Sequence, residues 1–116
     1  MNTSEVADRL VGLCKEGKNL VAIDELYSPD VVSLEKQDPM REVHGIDGVR
    51  GKNTWWQENH EVHGATVEGP FVNGDHFAVR YNYDITPKAT GARTQMDEVA
   101  LYEVKDGKIV HETFLY

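Results

Sequence analysis

Cys14 is the only cysteine in the chain. An intrachain disulfide is therefore excluded, and nothing in the composition asks for an oxidising compartment. Long apolar runs are also missing, since no stretch approaches the about 18 residues that a membrane helix needs. The opening MNTSEVADRL has acidic residues where a signal peptide has a basic start and then an apolar run. Basic charge is scarce: 12 Lys and Arg stand against 20 Asp and Glu, a formal net charge of −8, so the summed field repels phosphate backbones and anionic headgroups. No glycine-rich phosphate loop, P-loop lysine or nucleophile elbow occurs. Together these absences predict a cytoplasmic protein that binds neither nucleic acid nor membrane and carries no cofactor.

What is present is ordinary globular material. The 116 residues, 40% of them hydrophobic, have the length of one domain that buries roughly two-thirds of its unfolded surface, so a single core over residues 1–116 is expected. From Thr3 to Glu16, Val6, Leu10, Leu13 and Cys14 recur at helical spacing, with Thr3 or Ser4 as cap; Cys14 reads as packing. A second helix opens at Asn19, carries Leu20, Ile23, Leu26 and Tyr27 on one stripe, and ends at Ser28-Pro29. Val31 to Leu34 reads as a short strand, and KQDPMREVHGI after it as a mobile loop. Asp47 caps a third helix running to about Val62. Beyond Gly64 the pattern alternates to the end, with hairpin signals at Asn73-Gly74 and Asp106-Gly107 and a wider turn over Pro87–Gly91. Helices first and four antiparallel strands after them make an α+β layout.

Register then decides which side chains share a face. A two-residue turn at Asp106-Gly107 pairs Lys105 with Lys108 and sets Leu101 opposite Glu112, Val99 opposite Phe114 and Asp97 opposite Tyr116. If the Pro87 turn is symmetric about Ala89, Tyr81 meets Asp97 and Val79 meets Val99. Phe77, Val79, Tyr81, Tyr83 and Ile85 share that face, which is apolar apart from Asp97 and Glu112. The other face collects Arg80, Asn82 and Asp84 with Met96, Glu98, Ala100, Tyr102, His111 and Thr113. The apolar face is expected inward, where desolvation raises the pKa of both acids toward values useful for proton transfer. His60-Glu61-Val62-His63 places two imidazoles near a helix end but lacks the spacing of the zinc-protease motif, so no metal site is expected.

The element order and the ending LYEVKDGKIVHETFLY resemble the SnoaL-like branch of the nuclear transport factor 2-like superfamily, over essentially the whole chain. The resemblance implies a cone-shaped α+β barrel of the cystatin-like type, a curved, mostly antiparallel sheet against three helices, a deep pocket between them, and a homodimer. Its members include polyketide cyclases, ketosteroid isomerase and limonene epoxide hydrolase. By likeness to ketosteroid isomerase, Tyr81 and Asp97 would hydrogen-bond a developing enolate, although that enzyme's aspartate base has no clear match here. Likeness to the Arg-x-Asp run of limonene epoxide hydrolase falls on Arg80-Tyr81-Asn82 and would turn Arg80 inward.

The expected site thus has Asp97 and Glu112 as catalytic acids and Tyr81, Tyr83, Trp56, Phe114 and Tyr116 around a compact apolar substrate, with the Tyr116 hydroxyl reaching Asp97. Arg80, Asn82 and Glu98 form the alternative set on the other face. The function expected is a small-molecule pocket, either an acid–base enzyme of isomerase, cyclase or hydratase type or a non-catalytic ligand-binding or sensor domain. A dimeric interaction module with a filled core is the third alternative.

Overall fold

Asn2, not Thr3 or Ser4, caps the first helix in a computed structural model that describes residues 1–38 and 40–116. The Asn2 side chain accepts from the Glu5 amide at 2.9 Å while the Glu5 carboxylate accepts from the Asn2 amide at 3.0 Å, a reciprocal capping box that satisfies two otherwise orphaned donors. This helix, α1 (Thr3–Lys15), buries Val6, Leu10 and Leu13 along one stripe. Helix α2 (Asn19–Leu26) follows, and strand β1 (Tyr27–Leu34) begins directly after it. Pro29 falls where the β1 register is irregular, between Tyr27 and Val32, so its missing donor breaks no regular pairing.

The expected loop after β1 contains a short strand, β2 (Glu42–His44), which pairs antiparallel with β1; Pro39 of that loop lies outside the described residues. Helix α3 (Ile46–Asn59) starts after Gly45 and ends three residues before the expected Val62. His60 to His63 therefore stand on strand β3 (His60–Asn73) and not on a helix end. Strands β4 (His76–Pro87), β5 (Thr94–Lys105) and β6 (Lys108–Leu115) complete the meander. The sheet order is β2-β1-β6-β5-β4-β3, with β1 parallel to β6. The fold is three helices on a six-stranded mixed sheet with two free edges, so the anticipated barrel does not close.

The core fills the space between the helices and the inner sheet face. Val6 and Leu10 of α1 and Leu26 of α2 meet Val31, Phe77, Val79, Ala100 and Ile109, all essentially without exposure, and each large side chain buried this way contributes about 1.5–3 kcal/mol. Two register facts position the site. Tyr81 stands opposite Glu98 and Val79 opposite Ala100, one residue away from a symmetric Pro87 turn. A one-residue slip sends every side chain of a strand to the other face, so Met96, Glu98, Ala100, Tyr102 and Val104 point inward and Asp97, Val99 and Leu101 outward. In β6, Val104 pairs with Ile109 but Glu103 with His111, and this bulge at Val110 lets both Ile109 and Glu112 face the core. Asp106 (φ 53°) and Gly107 (φ 76°) form the tight turn before it, the left-handed pair that a two-residue hairpin requires. Among the described residues no helix is long and apolar enough to cross a membrane.

Candidate functional site

A cavity of about 330 Å³ lies between the inner sheet face and the helices, within the size range of small-molecule sites. The interior is therefore not filled, and the pocket-free interaction module is set aside. Leu10 and Cys14 of α1, Ala22 and Ile23 of α2 and Val49 of α3 supply an apolar wall; the sheet supplies the polar groups.

Glu112 is 2% exposed and anchored at both oxygens. The Tyr27 hydroxyl donates to Oε1 in a short hydrogen bond, and Ser33 Oγ donates to Oε2 at 2.9 Å. Lys52 Nζ of α3 in turn donates to Ser33 Oγ at 2.6 Å, pairs with Glu35 Oε1 at 2.9 Å and lies 4.5 Å from the centroid of the Phe114 ring. Burial pushes the Glu112 carboxyl up, and the Tyr27 hydrogen bond, the Lys52 charge and the Ser33 hydrogen bond pull against it. These donors hold the group rigidly and leave it little capacity for a substrate.

Glu98 differs. It is 8% exposed, lines the cavity, and receives no side-chain hydrogen bond among the described residues, its oxygens being open to the hollow. Desolvation raises its pKa to about 7; Glu35 and Glu112 add to the rise and Lys52 opposes it. A carboxyl group that is half ionised near neutrality can both accept and return a proton.

Tyr81 pairs with Glu98 in the β4–β5 register, and its hydroxyl shares a 2.8 Å hydrogen bond with the Tyr102 hydroxyl and lies 3.8 Å from Cys14 Sγ. Burial is the main cause holding both phenols well above their ordinary pKa, so they remain donors. Tyr83 stacks on Tyr81 with centroids 5.9 Å apart and meets Trp56 at 5.2 Å; Trp56 stacks on His60 at 4.5 Å. Tyr116, 38% exposed, borders the opening, its phenol raised by burial and by Glu35.

The cavity thus brings together Glu112, Tyr81, Tyr83, Trp56, Phe114 and Tyr116 as the sequence suggested. Asp97 is corrected: the slip puts it on the outer face, half exposed, where it accepts from Arg80 at 3.1 and 2.8 Å, and the guanidinium holds its carboxyl below the usual value. Tyr116 accordingly reaches toward Glu35 and not Asp97. The alternative set divides as well. Arg80 and Asn82 stay on the outer face, so the limonene-epoxide-hydrolase-like placement fails, while Glu98 turns inward, away from Arg80. Tyr27, Ser33, Lys52 and Tyr102 were not anticipated. One signal for this facing was present, because Met96, Ala100, Tyr102 and Val104 make Glu98's alternate set the more apolar half of β5.

Comparison with known proteins places the fold in a family. The SnoaL-like domain family matches residues 1–116. A candidate SnoaL-like polyketide cyclase from Mesorhizobium loti, also described as a carbohydrate phosphatase, is 51% identical, with TM-score 0.97 and both chains covered in full. A cystatin-like-fold protein of unknown function from Xanthomonas campestris is 20% identical (TM-score 0.79, covering 99% of this chain and 90% of that one). A candidate isomerase from Bacillus subtilis is 15% identical (TM-score 0.78, 98% and 88%); these two show the fold alone. No curated protein matches the chain. With the family matched from the first residue to the last and a relative half identical along its whole length, the chain belongs to the SnoaL-like domain family.

Proposed function

We propose that the protein is an acid–base enzyme that moves a proton at a carbon of a compact, largely apolar small molecule bound in the cavity. The observation that carries this reading is Glu98, a nearly buried carboxyl that lines the cavity, has no side-chain hydrogen bond among the described residues and titrates near neutrality. As a carboxylate it takes the proton from carbon. In this reading the Tyr81 hydroxyl, backed by Tyr102 at 2.8 Å, donates a hydrogen bond to the negative charge that develops on a neighbouring oxygen. Protonated Glu98 then returns the proton at another position, which is the balance of an isomerisation or an aldol-type ring closure. Glu112 serves as the anchored acid that, with Glu35 and Lys52, sets the field around Glu98.

The test is exchange of the α-protons of a panel of enolisable cyclic ketones into deuterated water, followed by proton NMR. Wild type is expected to catalyse exchange with a rate that rises as pH passes through about 7, and Glu98→Gln to lose about 10²–10⁴-fold. Undiminished exchange in Glu98→Gln overturns the assignment. No catalysed exchange across the panel favours the non-catalytic ligand-binding reading, which the anchored, doubly satisfied Glu112 also suits. We further propose that the protein is a homodimer through the outer sheet face, which leaves the cavity free.

A further inference from the structure

The cavity has a charge imbalance that bears on which ligand it admits. Among the described residues four carboxyl groups line it, those of Glu35, Asp38, Glu98 and Glu112, against one lysine, Lys52. Lys52 is already committed to Ser33, to Glu35 and to the face of Phe114, and Glu112 is satisfied by Tyr27 and Ser33. Glu98 is left over: 8% exposed, facing the hollow, without a hydrogen bond among the described residues.

The charged and titratable groups set against Glu98 come from every side of the cavity. Those coupled to it or to its neighbours are Glu35 from the segment after β1, Lys52 from α3, Tyr83 from β4, Glu112 from β6, and Tyr116 at the end of the chain; Asp38 and, at the start of β3, His60 share the lining. Only Lys52 among the coupled groups favours the ionised form. An anionic ligand entering this field meets like charge, whereas a cation relieves it.

The remaining polar character of the wall suits a cation as well. Trp56 and Tyr83 line the cavity, and an ammonium group shielded from water is drawn to such ring faces. Lys52, held over Phe114 with Glu35 beside it, is the same arrangement made with the protein's own cation.

We propose that the substrate is a cationic amine whose ammonium head is held between the Glu98 carboxylate and the Trp56–Tyr83 wall, with an apolar body against Leu10 and Ile23. This names the substrate class of the site proposed above and rests on Glu98 facing the cavity. The bound ammonium favours the ionised form of Glu98, the form that accepts a proton from carbon, and lowers its pKa from the value in the empty cavity.

The experiment is titration calorimetry with choline and with its uncharged carbon isostere, dimethylbutanol, on the wild-type chain and on Glu98→Gln and Glu98→Asp. At about pH 8.5 wild type is expected to bind choline about tenfold or more tighter than the isostere, and to lose most of that preference at about pH 5.5, where Glu98 is protonated. Glu98→Gln loses the preference at both pH values and Glu98→Asp keeps part of it, with circular dichroism confirming that both are folded. Equal affinity for the two probes, a preference retained in folded Glu98→Gln, or no measurable choline binding overturns the proposal. The two readings separate cleanly. Choline preference without proton exchange on any ketone, ammonium-bearing ketones included, leaves the cation site and removes the enzyme, and exchange without choline preference does the reverse.

Discussion

Glu98 and Asp97 are chain neighbours with opposite environments, and the difference between them is a stability statement. Asp97 sits in water beside Arg80. Glu98 is 8% exposed and its pKa is raised from the model-peptide value of 4.5 to about 7. A carboxyl whose folded-state pKa lies above its unfolded value binds more protons when folded, so its contribution is most favourable below about pH 4.5 and worsens as pH rises to about 7. The shift corresponds to about 3 kcal/mol at neutral pH and above. Glu98→Gln is therefore expected to be more stable than wild type at pH 8, with the advantage vanishing toward pH 4.5; urea unfolding of both proteins across that range checks it, and parallel curves would refute it. Glu112 behaves differently because its burial is matched by donors. Tyr27→Phe removes one of them from a group that stays buried and should cost about 1–3 kcal/mol, read from the same urea midpoints, with little change in the cavity-facing chemistry of Glu98.

At the scale of elements, the helices and the β4 face were legible because each rests on a local rule. Val6, Leu10 and Leu13 follow the helical period, and Phe77, Val79, Tyr81 and Ile85 alternate without interruption. The facing of β5 and β6 was not legible, because it depends on two counts that no local pattern fixes: the parity of the turn between Ile85 and Thr94 and the extra residue at Val110. An odd error in the first moved Asp97 out and Glu98 in, while the second returned Glu112 to the inside against an otherwise mistaken register. Strand β2 escaped notice since three residues, Glu42 to His44, carry no apolar alternation and owe their conformation to pairing with β1. Two adjacent substitutions test the register. Ala100→Asp buries an unpaired charge at a position with no exposure and is expected to destabilise by about 3–5 kcal/mol. Leu101→Asp, on the outer face at 41% exposure, is expected to leave the monomer within about 0.5 kcal/mol. Thermal or urea unfolding in the reverse order would mean that the strand faces the other way.

At the scale of the whole molecule, the cavity occupies one side of the sheet, and among the described residues no helix covers the other. Phe71, Ala78, Leu101 and Thr113 align across β3, β4, β5 and β6 on that outer side, with Val99 opposite Leu115 beside them. Phe71 is 62% exposed and Leu115 54%, an apolar stripe of the kind that marks an interaction surface. Two of its flanking pairs are matched within the chain, Arg80 with Asp97 at 2.8 Å and Arg93 with Asp84 at 2.7 Å, while exposed Glu68 stands opposite Arg80 without an ion pair of its own among the described residues. Repulsion remains at longer range, because each chain carries −8. Two copies joined through this face should therefore associate more tightly as salt screens that repulsion, the opposite of what an interface held by charge pairs would do. Light scattering after size exclusion is expected to give twice the chain mass at moderate salt, a shift toward dimer on raising salt, and a monomer for Leu101→Asp. That monomer should retain ligand binding, since its cavity lies on the far side of the sheet. A wild type that stays monomeric at high salt would refute the dimer, and a Leu101→Asp that stays dimeric would place the contact elsewhere.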